Sequence, residues 1–158
     1  MSIVQDSSVK FNSLLADLLV LEEKTKALSS VESQAEFNVY HLQTNLKYLE
    51  EELQELEEEL QANKMEVEES QCYVDNWGDN DSKKELDLSK SLFQNTLRLI
   101  EVVKADIESN KFELQISITE LEKARIEHDE LQNATEEIRQ KIKDFELELE
   151  NSQESKYQ

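Results

Sequence analysis

Apolar residues recur along the first half of the chain in alternating steps of three and four. With Phe11 at heptad position a, the a series reads Phe11, Leu18, Thr25, Glu32, Val39, Leu46, Leu53, Leu60, Val67 and Val74. The d series reads Leu14, Leu21, Leu28, Ala35, Leu42, Leu49, Leu56, Asn63 and Ser70. One frame therefore holds from Phe11 to Val74. A heptad kept this long predicts a left-handed coiled coil, because a straight helix would rotate the apolar edge away from its partner. Between Val39 and Leu60 every a and d residue is apolar. The seam weakens between Thr25 and Glu32, where a kink or local opening is possible. Asn63 and Ser70 are polar at d, which reads best as a seam that frays towards the middle of the chain, the alternative being a register-fixing Asn.

The pattern breaks once. Asp75-Asn76-Trp77-Gly78-Asp79-Asn80-Asp81 collects poor helix formers around a glycine, and Gly readily takes the left-handed conformation that ends a helix. Ser82 followed by Glu85 matches a capping box that would start the next helix. The second stripe begins Leu86, Phe93, Leu97, Ile100, Ile107, Leu114, Ile118 and Leu121. It then slips by three residues near Ala124 and Arg125, and resumes as His128, Leu131, Ile138, Ile142, Phe145 and Leu149. Such a stammer overwinds a supercoil locally. Leu88, Leu92, Leu99, Val102 and Val103 widen this helix's apolar face beyond a two-stranded seam, which suggests contact with more than one helix.

The expected fold is all-α: two long helices forming an antiparallel coiled-coil hairpin or helical bundle, open to completion by partner helices. Its segments are a flexible N-terminus (1–9), a first helix (10–75), a loop (76–82), a second helix (83–150) and a flexible tail (151–158). The central break favours a hairpin, with Leu86 beside Val74 and Leu149 beside Phe11, since loops this short join antiparallel neighbours. In that register Lys104 and Lys111, taken as core-type a positions, would reach the acidic run Glu50–Glu59, the alternative being that they merely sit at a seam edge. A parallel homodimer would align those acidic runs side by side, which is repulsive.

Composition narrows the function. The 158 residues contain one Gly, no Pro and one Cys, and carry a formal net charge of −20. Charge and a mean hydropathy of −0.71 would suit a disordered chain, but disorder gives no reason for regular apolar spacing. The acidic balance argues against direct contact with nucleic acid and against anionic membrane surfaces. No apolar run reaches the length of a membrane span, and the opening residues lack the pattern of a secretory signal. With a lone Cys72, this makes the expected compartment the cytoplasm or nucleus.

No catalytic residue, cofactor site or metal site is expected. His41 and His128 lie far apart in sequence, and one cysteine gives no zinc-ligand spacing. Asp75–Asp81 lacks the alternating ligands of a calcium loop. Tyr73 and Trp77 read as a cap on the end of the hairpin core, with an exposed protein anchor as the alternative.

The expected function is therefore a non-enzymatic interaction subunit, a scaffold or spacer of a larger kinetochore, cytoskeletal or tethering assembly. It would bind other coiled-coil proteins as a hetero-oligomer, without a small-molecule substrate. The partner interface falls on Val39, Leu42, Leu46, Leu49, Leu53, Leu56 and Leu60 of the first helix. On the second it falls on Leu86, Leu92, Phe93, Leu99, Ile100, Val103 and Ile107. Alternatives are an acidic chaperone or binder of basic proteins such as histones, and a client-holding chaperone broadly like prefoldin. The prefoldin comparison is weakened by a link too short for the β-hairpins that join prefoldin helices.

Overall fold

A computed structural model describes residues 3–156. It contains two helices, α1 (Ile3–Trp77) and α2 (Asn80–Lys156), and no strand among the described residues. The helices pack against each other as an all-α helical hairpin. Ile3–Val9 and Asn151–Lys156 continue the helices through segments expected to be flexible. Met1, Ser2, Tyr157 and Gln158, which belong to those two segments, lie outside the described residues.

The link is shorter than the sequence implied. Only Gly78 and Asp79 separate the helices. Gly78 has φ +56°, the left-handed region where an added Cβ is strained. Asp79, rather than Ser82, caps α2. Its carboxylate accepts a 2.8 Å hydrogen bond from the Ser82 backbone N–H, the third residue into the helix, which would otherwise lack an acceptor. The Ser82 hydroxyl donates to the same carboxylate, and together these bonds hold the Asp79 carboxyl below its ordinary pKa.

Packing falls into two units, a turn unit (Asn38–Ser117) and a terminal unit (Met1–Phe37 with Ile118–Gln158). On α1 every a and d residue from Phe11 to Val74 is buried or half-buried. The helix runs without a break through Thr25–Glu32, where the Thr25 hydroxyl donates to the Leu21 carbonyl at 2.8 Å.

On α2 the stammer is absent. Buried and half-buried residues recur in unbroken steps of four and three from Ser82 to Phe145: Ser82, Leu86, Ser89, Phe93, Thr96, Ile100, Val103, Ile107, Asn110, Leu114, Ser117, Leu121, Ala124, His128, Leu131, Thr135, Ile138, Ile142 and Phe145. Small or polar residues fill several of these positions, so a count of large apolar residues followed Leu97 and Ile118 off the seam. Leu97 is the residue after Thr96, and Ile118 the residue after Ser117.

The polar seam positions Asn63 and Ser70 are paired rather than frayed. In the turn unit Asn63 Nδ2 donates to Thr96 Oγ1 at 2.7 Å, and the Ser70 and Ser89 hydroxyls lie 3.2 Å apart. In the terminal unit Phe11 stacks on Phe145, with centroids 5.7 Å apart. Phe145 thus holds the place expected of Leu149, which is 42% exposed.

Candidate partner-binding surface

Most of the interface read from the sequence is occupied by the intrachain seam. Val39, Leu42, Leu46, Leu49, Leu53, Leu56 and Leu60 are half-buried, as is Phe93. Leu86, Ile100, Val103 and Ile107 are buried. Only Leu92 and Leu99 of the expected set remain exposed, and the fold adds Leu88 and Val102 beside them.

These four share one flank because of their position relative to the seam. Leu88, Leu92, Leu99 and Val102 immediately precede the seam residues Ser89, Phe93, Ile100 and Val103. One residue is about 100° of helical rotation, so all four are displaced from the seam in the same direction. Lys83, Lys90, Lys104 and Lys111 immediately follow the seam residues Ser82, Ser89, Val103 and Asn110, and so lie on the opposite flank. Lys104 and Lys111 are therefore exposed residues at the seam edge rather than core a positions, and Lys111 lies 3.9 Å from Glu108 on its own helix.

The leucine flank borders an open groove of about 310 Å³ in the turn unit, lined by Glu66, Glu69, Ser70 and Tyr73 of α1 and Glu85, Leu88, Ser89 and Leu92 of α2. Tyr73 stacks on Trp77 at 5.5 Å between centroids. The pair lies on the surface, with Trp77 69% exposed, and does not cap the core. Their spacing of one helical turn makes them neighbours on one face of α1.

Comparison of the chain with protein-family models, with curated proteins and with solved structures finds no match.

The terminal unit has a different character. Arg125 lies 3.4 Å from Glu36 and 3.9 Å from Glu32 across the helix pair. Glu32 also meets His128 Nδ1 at 2.9 Å, and Arg139 meets Glu22 at 3.4 Å. Glu32 and His128 thus fill the weak stretch of the seam with a polar contact. Among the described residues no three His, Cys, Asp or Glu side chains form a metal-holding group. No described helix is long and apolar enough to cross a membrane.

What this arrangement offers chemically is packing. Among the described residues no large side chain is fully buried, since a pair of helices shields its seam from two directions only. The leucine flank is an apolar remainder of the turn unit that stands at heptad spacing.

Proposed function

We propose that the chain is a non-enzymatic interaction subunit, a scaffold or spacer hairpin that holds helices of other coiled-coil proteins in a hetero-oligomeric assembly. The observation that carries this reading is the surplus stripe Leu88, Leu92, Leu99 and Val102, between 44% and 62% exposed after the hairpin has closed its own seam. Scattered exposed leucines are ordinary, but a stripe at heptad spacing is the edge that a further helix packs against. Kinetochore, cytoskeletal and tethering complexes of the cytoplasm or nucleus use such subunits. The reading requires no cofactor, nucleic acid or small-molecule substrate.

The test is isolation of the tagged full chain from its native cells, followed by light scattering of the purified complex. A stoichiometric protein partner, retained at high salt and released by Leu92→Gln with Leu99→Gln, is the expected result. A chain that is monomeric in its native complex fraction refutes the reading.

A second reading, an acidic binder of basic proteins such as histones, draws support from the seven exposed glutamates between Glu50 and Glu59. A complex held by those charges alone dissociates as salt rises, because exposed charges are screened beyond about 8 Å at physiological ionic strength. The prefoldin-like reading gains no support from a link of two residues.

A further inference from the structure

The leucine flank of the turn unit has an acidic border on its α1 side. Glu66 and Glu69 line the groove with Leu88 and Leu92. Glu59 and Glu52 repeat Glu66 at seven-residue steps up α1, and Glu55 repeats Glu69 two heptads away; all are exposed. Heptad repetition places them on the same flank of α1 as the groove. On α2 Glu85 and Asp106 bracket the stripe and also immediately precede the seam residues Leu86 and Ile107. The lysines that follow seam residues stand on the other flank, and Lys84 and Arg98 fall on the back of α2, two residues before Leu86 and Ile100. The apolar stripe thus runs beside a row of carboxylates on α1 and ends in a carboxylate at each of its two ends on α2.

We propose that this flank receives one amphipathic helix from a different protein, with aliphatic residues at a and d spacing and Lys or Arg at the positions beside them. The inference rests on the interaction-subunit reading and specifies its partner. The incoming helix completes a three-helix coiled coil locally with α1 and α2. Its aliphatic residues cover Leu88, Leu92, Leu99 and Val102, and its cations reach the glutamates of α1 along one side and Glu85 and Asp106 at the two ends of the stripe. A second copy of the chain is the poorer occupant. It would bring the same stripe with its own acidic row and no row of cations to meet the α1 glutamates.

The stripe spans about four helical turns, so a helix of three heptads suffices as a probe. The experiment uses the full chain and fluorescence anisotropy with three designed peptides of that length. The first carries Leu at a and d and Lys at e and g; the second replaces those lysines with Glu; the third keeps the lysines and replaces the leucines with Ser. The first is expected to bind saturably at one per chain, and the others roughly tenfold or more weaker. Leu92→Gln with Leu99→Gln should weaken the first peptide by on the order of a hundredfold, since each buried leucine is worth about a factor of ten. Lys104→Ala, on the opposite flank, should leave binding unchanged. Leu88→Gln with Val102→Gln provides a second variant pair, and circular dichroism checks that each variant keeps its helices.

Equal binding of the Ser peptide would reduce the site to charge and overturn the proposal. Equal binding of the Glu peptide would overturn its claim of a basic partner. Self-association abolished by the leucine variants would name a second copy as the occupant and also overturn it, as would a monomeric chain that binds no peptide. In these last two cases a native complex that survives high salt leaves the interaction-subunit reading standing, so the two failures are separable.

Discussion

Asn63 of α1 and Thr96 of α2 share a 2.7 Å hydrogen bond inside the seam of the turn unit. Thr96 is 4% exposed, and its hydroxyl also donates to the Leu92 carbonyl at 3.0 Å, so it both accepts and donates. The bond is specific to one alignment of the two helices. Asn63→Ala is expected to lower stability by about 1 kcal/mol, the usual net worth of such a bond, read as a lower urea midpoint. Asn63→Leu with Thr96→Val removes both partners and should restore stability or exceed it. The cost should fall on alignment: distances between spin labels on the two helices are expected to broaden. Unchanged narrow distances would remove the Asn–Thr pair from register selection.

Asn110 presents the opposite case. It is 5% exposed, and its Oδ1 is buried without a hydrogen-bond partner. An unsatisfied buried acceptor costs roughly 1–3 kcal/mol, and Leu42 and Leu49 line the groove beside it. Asn110→Leu should therefore raise the thermal midpoint. A lower midpoint would show that the amide is satisfied in solution.

In the terminal unit Arg125 faces both Glu32 and Glu36. Arg125→Glu turns two attractions into repulsions. The Arg125 side chain is 55% exposed, so the loss should stay near 1 kcal/mol and shrink as salt is added. Denaturation midpoints at low and high ionic strength measure it. An effect independent of salt would point to packing instead.

The turn offers two probes. Gly78→Ala forces a side chain into a left-handed backbone and should cost about 1–2 kcal/mol, seen as faster amide exchange on both sides of the link. Asp79 supplies a pH dependence. Its carboxyl is held below the ordinary value of 3.8, mainly by the Ser82 hydroxyl and then by the Ser82 N–H. A depressed carboxyl pKa contributes stability that is present above the unfolded value and is lost as pH falls through the folded one. Amide protection at Ser82 should accordingly weaken only below about pH 4, and Asp79→Ala should abolish that pH dependence.

The first helix was legible because its seam is written almost wholly in large apolar residues from Val39 to Leu60. The second was legible as a helix but not in its phase. Ser82, Ser89, Thr96, Asn110, Ser117 and Ala124 occupy seam positions, and no hydropathy pattern marks a serine as interior when its partner is another serine on the facing helix. Leu97 and Ile118, each one step past the seam, supplied the false phase. The cap on α2 was missed for a related reason. Asp79, Asn80, Asp81 and Ser82 are all competent N-caps, and only the backbone decides among them. The residues of the docking flank were legible as a surplus beyond a two-stranded seam, but only the true phase shows that Leu88, Leu92, Leu99 and Val102 lie consistently one residue before it while Val103 belongs to the seam.

A link of two residues also imposes an order on how the hairpin comes together. The Ser70–Ser89 contact closes a separation of 19 residues, whereas Glu22–Arg139 closes one of 117. Chain entropy favours the shorter closure, and each later contact then needs only a small further one. Zippering should begin at Gly78 and travel outward, leaving Phe11 and Phe145 to meet last. Substitutions near Ser89 should therefore slow folding, while substitutions at the Phe pair should chiefly hasten unfolding.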